Sequence, residues 1–271
     1  MLRVYRDLQR LGSPDFSGDL AAESIPFRQL EGAFALQQKL GQGGQGAVYL
    51  AADRVSQQKR VVKFYDKGCA NAPVEDIVDE FKLLTALDHP KIARVYDVFQ
   101  DHAYIYVVSE PYFGGDLTTA AQKAMQAGVA LNQNWLAGIL RQVCAGIAYL
   151  HSNKCMHCDI KEPNVMISGN TDWQSPNVVV IDFGLARDFR KGSTGVMGTP
   201  GYMPPEVWAK GLWTIWGDVF SMGSFTTCIA CTSGGPLRGR PSSSCRCRPA
   251  RTWLIGSLCR TASPSRTWCR R

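Results

Sequence analysis

At 271 residues the chain is long enough to bury a sizeable core as one large or two-lobed domain, and 45% hydrophobic with 20% charged residues is ordinary globular composition. No apolar run approaches the roughly 18 residues that span a bilayer, and the opening MLRVYRDLQRLGSPDF lacks a signal-type apolar stretch, so a cytoplasmic or nuclear protein with no membrane partner is expected. The net charge of +7 invites a nucleic-acid reading, but Val219 to Arg271 holds nine arginines and no Lys, Asp or Glu, leaving residues 1–218 at −2, so no specific nucleic-acid partner is expected.

Residues 1–32 carry little pattern and read as a lead-in. From Phe34 the pattern turns strand-like, and GQGGQGAVYLAADR places Gly41, Gly43 and Gly46 between alternating apolar residues. That predicts a β-hairpin whose backbone can approach a phosphate closely. A Rossmann turn shares the glycine spacing but needs a following helix, which this stretch lacks. RVVKFY, residues 60–65, predicts a strand with Lys63 among apolar neighbours. Val74, Ile77, Phe81, Leu84 and Leu87 then fall at helical spacing, with Glu80 on the same element and Asp88-His89-Pro90 ending it. Two strand-like runs follow, Ile92 to Phe99 and Tyr104 to Val108, before a Gly-rich hinge from Glu110 to Gly115.

Beyond residue 117 the texture is helical. In WLAGILRQVCAGIAYLHS, Leu136, Ile139, Leu140, Val143, Ile147 and Leu150 form an apolar stripe. HCDIKEPN, residues 157–164, comes next, and DFG, residues 182–184, follows the apolar run Val178 to Ile181. Asp159 can set a carboxylate beside an acceptor hydroxyl. Asn164 and Asp182 can offer hard oxygens to Mg²⁺ on a nucleotide's phosphates.

The spacing H-x-D-x-x-x-x-N with Asp-Phe-Gly resembles the catalytic loop and metal motif of eukaryotic protein kinases, and the resemblance runs from about Phe34 to Gly223. It implies an α+β, two-lobed fold, with a β-rich N-lobe over residues 33–110 and a C-lobe over 111–223 that is incomplete. It implies transfer of phosphate from ATP, with Mg²⁺, to serine or threonine of a protein substrate. By the same resemblance Lys63 would bridge the α- and β-phosphates, with Glu80 holding it. Lys161 would touch the γ-phosphate, and Asn164 and Asp182 would hold the metal. Val48, Val61 and Met166 would enclose the adenine, with Glu110 and Tyr112 in the same nucleotide site. Leu84, His157 and Phe183 would join the hydrophobic stack of active states. GTPGYMPPE would end the activation segment at Glu206, and Asp218 would bond the catalytic-loop backbone. Lys161 and Thr199 point to serine/threonine specificity. DHPKIARVYDVF, SEPYFGGDL and HCDIKEPNVM look most like the calcium- and calmodulin-dependent group, although no EF-hand loop is present, so any coupling to a calcium sensor is not encoded in this chain.

Three features depart from the family pattern. Cys158 stands where kinases usually carry the arginine that pairs with a phosphorylated activation loop, which weakens switching through Ser193 or Thr194. Gln45 replaces an aromatic residue at the glycine-loop tip. After Gly223 the text becomes rich in Ser, Arg, Cys and Pro, so residues 224–271 are expected to be a disordered tail, read as out-of-frame translation or an unusual splice product. Six of the ten cysteines lie in that tail, while Cys69, Cys144, Cys155 and Cys158 read as reduced thiols. Two rival readings remain. One is a zinc module using Cys155, His157 and Cys158 or the tail cysteines Cys228, Cys231, Cys245 and Cys247. The other is a kinase-like nucleotide-binding scaffold or fragment that does not catalyse.

Overall fold

The computed structural model describes residues 25–43, 46–69, 84–169, 172–188 and 196–232. Five antiparallel strands form the first half: β1 (Phe34–Gly43), β2 (Gly46–Asp53), β3 (Lys59–Asp66), β4 (Val95–Gln100) and β5 (Tyr104–Ser109), in the order β1-β2-β3-β5-β4. Short acidic side chains shape the turns by replacing strand partners for backbone donors. Asp53 accepts from Val55 N and Ser56 N between β2 and β3. Asp101 accepts from Ala103 N and Tyr104 N, both at 2.8 Å, between β4 and β5. The sheet is held by packed aromatics, with Phe34 stacked on Phe99 and Phe99 on Tyr106.

The helical half follows its caps. Asp116 accepts from Thr119 N at 2.7 Å to open α2 (Leu117–Gln126), and Asn132 accepts from Asn134 N and Trp135 N to open α3 (Gln133–Ser152). Ile139, Val143, Ile147 and Leu150 of α3 are buried, as the stripe predicts, while Leu136 and Leu140 pack at its margin. Two small two-stranded antiparallel sheets, β6 (Cys155–Met156) with β9 (Arg187–Asp188) and β7 (Val165–Ile167) with β8 (Val178–Val180), frame the loop between residues 157 and 164. Then come α4 (Pro205–Lys210) and α5 (Ile215–Thr232). The two halves share one core and are stitched at Lys91 to Ala93: Ala93 N donates to Val180 O, and Val180 N to Lys91 O.

Three expectations shift. The third strand-like run is shorter than read, β4 starting at Val95, because Ile92 is spent on a bridge to Val180. The lead-in does not extend to residue 32: Phe27 bridges Gln100, α1 spans Leu30–Ala33, and Ile25 and Leu30 are buried. The expected tail does not start at 224 either, because α5 continues nine residues past Gly223 with Phe225 and Ile229 buried one turn apart. Of the predicted helix at 74–87, Leu84 and Leu87 are buried, while Val74, Ile77, Glu80 and Phe81 lie outside the described residues. So do Gln45, Ser193, Thr194 and the remainder of the tail.

Candidate active site

The glycine hairpin forms as predicted, with Gly41 opposite Val48 and Gly43 opposite Gly46. Gly46 is needed for more than access to a ligand. At φ +143° any Cβ there would lie 1.9 Å from the Phe64 carbonyl oxygen, so the hairpin packs on β3 only through glycine. Val48 pairs with Lys63, and Val61 with Ser109, which sets both valines in the strands beside that lysine. Met166 enters from the other half on β7, bridged to Asp116. Glu110 donates its N–H to Arg94 O at the start of the hinge, and the Tyr112 hydroxyl lies 3.5 Å from the Glu110 carboxylate. Gly114 lets the hinge press on β7, where a Cβ would fall 2.6 Å from Ile167 Cβ.

Lys63 and Asp182, 119 residues apart, form an ion pair between the strand half and the helical half. Burial pushes the Asp182 carboxyl up, but the Lys63 ammonium outweighs it and holds the group below the ordinary aspartate value. Asp182 sits in the left-handed region at φ +64°, a conformation costly for a non-glycine residue, and its carboxylate accepts from Gly184 N at 3.2 Å. The neighbouring Phe183 ring is buried 5.5 Å from the ring of His157. His157 Nδ1 accepts from Asp159 N at 3.2 Å, so its proton is on Nε2, which donates to Ile181 O at 3.0 Å.

Asp159 is almost fully enclosed and is the focus of a side-chain network. Lys161 Nζ donates to its Oδ2 at 2.7 Å, and Asn164 Nδ2 to the same oxygen at 3.1 Å. The Thr199 hydroxyl donates to Oδ1 at 2.6 Å while accepting from Lys161 Nζ at 2.7 Å. Asn164 Nδ2 also bonds Asp159 O at 2.8 Å, so both its amide hydrogens are spent and Oδ1 is the atom left to meet a cation. Ile181 N donates to Asn164 O at 2.9 Å, which joins the loop carrying Asn164 to the segment carrying Asp182.

Beneath this network lies Asp218 of α5, fully buried. It accepts from His157 N and Cys158 N, each at 2.9 Å, and from His151 Nε2 at 2.7 Å. His151 has no motif to announce it, and only its place at the end of α3, six residues before His157, hints at the role. Tyr202, whose hydroxyl donates to Glu162 at 2.5 Å, is likewise visible only in the fold. Cys144, Cys155 and Cys158 are buried. Among the described residues no three His, Cys, Asp or Glu side chains converge on a metal position, so Cys155, His157 and Cys158 do not assemble the zinc set considered above. Among the described residues no helix is long and apolar enough to cross a membrane.

The site brings together Asp159, Lys161, Asn164 and Thr199 in one cluster and Lys63 with Asp182 in another. The protein kinase domain model matches residues 34–244. The serine/threonine-protein kinase PLK4 of Drosophila ananassae is 32% identical over 195 residues, covering 70% of this chain and 24% of that protein. PLK4 of Drosophila virilis is 31% identical over 211 residues, covering 73% and 26%. The chain thus spans about a quarter of the length of these curated relatives. The printed names of these relatives give no support to the calcium-dependent subgroup or to coupling with a calcium sensor. The three strings behind that reading lie on a helix stop, a hinge and the catalytic loop, which the fold's own turns and hydrogen bonds dictate.

Proposed function

The chain belongs to the protein kinase family, and on that premise we propose that it transfers the terminal phosphoryl group of ATP to serine or threonine hydroxyls of a protein substrate. The observation that carries the proposal is the network in which Lys161 and Thr199 converge on the two oxygens of Asp159. Asp159 is the group that orients an acceptor hydroxyl and receives its proton, and the hydroxyl of Thr199 already occupies that hydrogen-bonding position on Oδ1. Lys161 neutralises charge beside the acceptor, the service a transferred phosphoryl group needs.

The donor chemistry fits Mg²⁺. Asp182 is held ionised, Asn164 retains a free amide oxygen, and both are hard ligands of the type this cation selects. Bound there, the metal would neutralise and orient phosphate oxygens. Lys63 supplies a cation on the strand side of the same cleft, Gly41, Gly43 and Gly46 keep the roof thin, and Val48, Val61 and Met166 offer apolar surface to the base beside Glu110 and Tyr112. Glu80 is assigned to position Lys63, by its place in the sequence pattern. The printed name of the relatives, serine/threonine-protein kinase, supports the acceptor class.

Titration with ATP in the presence and absence of Mg²⁺ tests the nucleotide site separately from catalysis. Wild type should bind more tightly with the metal, and Asp182→Asn should lose that difference. Binding that ignores both metal and substitution would remove the assignment.

A further inference from the structure

Beside the Asp159 cluster lie two residues, Glu162 and Tyr202, whose side chains hydrogen-bond neither its carboxylate nor the Lys63 and Asp182 pair. Glu162 follows Lys161 in the loop of residues 157–164 and is buried. Among the described residues it has no cationic partner, and the side chain that meets it is Tyr202, whose hydroxyl donates to Glu162 Oε2 at 2.5 Å. An enclosed carboxylate is costly unless hydrogen bonds satisfy it, and a hydroxyl donating to an ionised oxygen is among the stronger bonds available. Burial first, and Glu162 second, raise the Tyr202 hydroxyl well above the ordinary tyrosine value, so it remains a donor at any working pH.

The backbone explains why the pair stands there. Lys161 caps a short 3₁₀ turn, Glu162–Asn164, with Pro163 in its first positions. The two neighbouring side chains part at that entry: Lys161 reaches Asp159 and Thr199, and Glu162 reaches Tyr202. Thr199 and Tyr202 belong to one turn, since Tyr202 N donates to Thr199 O at 3.1 Å. Tyr202 O in its turn accepts from Ser221 Oγ of α5 at 2.8 Å. Gly198, at φ +120°, lies so near the loop that a Cβ there would fall 3.1 Å from Cys158 O. The segment 198–203 is thus held against residues 157–164 by Gly198 on Cys158, by Thr199 on Asp159 and by Tyr202 on Glu162.

Resting on the phosphoryl-transfer reading, we propose that Glu162 and Tyr202 are positioning residues: their hydrogen bond fixes the turn from Thr199 to Tyr202 against the loop, and so sets where an acceptor hydroxyl of a protein substrate meets Asp159. Neither side chain touches the reacting atoms. Without the bond, the turn hangs on Thr199 and on Ser221, and a shift of a fraction of an ångström in it displaces the acceptor from the carboxylate. Water as acceptor needs no such wall. The Lys63 and Asp182 pair binds on the other side of Asp159's loop segment through Ile181 and Asn164, so the nucleotide is spared as well.

Initial rates of γ-phosphate transfer to a serine- and threonine-containing protein, and of ATP hydrolysis in its absence, separate positioning from mere support when measured on the whole chain. Tyr202→Phe should lower kcat for the protein substrate about tenfold, leave the KM for ATP unchanged and lower hydrolysis by less than about twofold. Glu162→Gln keeps an oxygen for the hydroxyl and should hold transfer within about threefold of wild type. Glu162→Leu should match Tyr202→Phe, and the double variant Tyr202→Phe with Glu162→Leu should be no slower than either alone. Transfer and hydrolysis that fall together, or losses that add in the double variant, overturn the proposal, as does wild-type transfer by Tyr202→Phe. Absence of transfer by wild type overturns the phosphoryl-transfer reading, and the proposal with it. If Tyr202→Phe loses its melting transition, the double variant, which strands no carboxylate, gives the same ratio of transfer to hydrolysis.

Discussion

The backbone N–H of Cys158 donates to Asp218 Oδ1 at 2.9 Å, joining the loop of residues 157–164 to a helix 60 residues later. Cys158 has φ +63°, a left-handed conformation that costs a non-glycine residue about 1–3 kcal/mol. Asp218 holds it there, and through His157 N and His151 Nε2 it fixes the neighbouring residue and the end of α3. Asp218→Ala strands these three buried donors and should lower unfolding stability by about 3–5 kcal/mol, with activity lost along with the loop geometry. Chemical denaturation checks it, and a change within the error of the method would show that the loop is held from elsewhere.

Acid should act through the same residues. Burial pushes the carboxyls of Asp218 and Asp182 up, yet their hydrogen-bonding and charged neighbours, led by His151 and Lys63 respectively, hold both below the ordinary aspartate value. A group depressed in this way contributes stability that is present above its unfolded pKa and is lost as pH falls through the folded one. Lys63→Met removes the main influence opposing burial at Asp182. The stability gap between wild type and Lys63→Met is therefore expected to be widest near neutrality and to narrow as pH drops below about 4. Denaturation midpoints across that range supply the comparison; a gap that stays constant into acid would remove Lys63 as the cause of the depressed carboxyl.

Gly46→Ala places a methyl group against the Phe64 carbonyl, 1.9 Å away before relaxation. The hairpin must then lift from β3, at a stability cost of about 1–3 kcal/mol. ATP binding should weaken with it, because the roof and the Lys63 strand are paired through Val48. Unfolding and ATP titration of the variant measure the two effects. Wild-type values for both would mean that the hairpin does not need the close approach.

Phe225 is fully buried and lies beyond the point where the composition changes character. Phe225→Ala should cost about 3–5 kcal/mol, the range for an aromatic side chain deleted from a core. Thermal melting reads the loss; an unaffected melting transition would place the end of the packed region at Gly223 after all.

Much of the site was legible because its spacing is chemical. The interval from Asp159 to Asn164 lets one amide reach both the backbone and the side chain of the aspartate, and that closure is what the structure shows. Element types were legible from periodicity in β3, β5 and α3. The ends were harder to read. SFTTCIACT looks unlike a helix because it has no charge and several hydroxyls, yet Thr226 and Thr227 turn their hydroxyls back to the carbonyls of Met222 and Gly223, one turn earlier. With their polar atoms spent inside the helix, Phe225 and Ile229 decide its course by burial. Ile25 was missed for the opposite reason: a single apolar residue beside a proline has no period, and its burial depends on the β4 edge, which is remote in sequence. His151 belongs to the same class, since only a folded chain brings it to Asp218.

The most direct test is transfer of labelled γ-phosphate from ATP to a serine- and threonine-containing protein substrate by wild type and by Asp159→Asn. The amide keeps the size of the side chain but cannot accept the acceptor's proton, so the substitution should lower the rate by at least about a hundredfold while ATP binding persists. Incorporation into serine or threonine by wild type, abolished in the variant, is the predicted result. Equal incorporation by both proteins, or none by either with ATP bound, would contradict catalysis at Asp159.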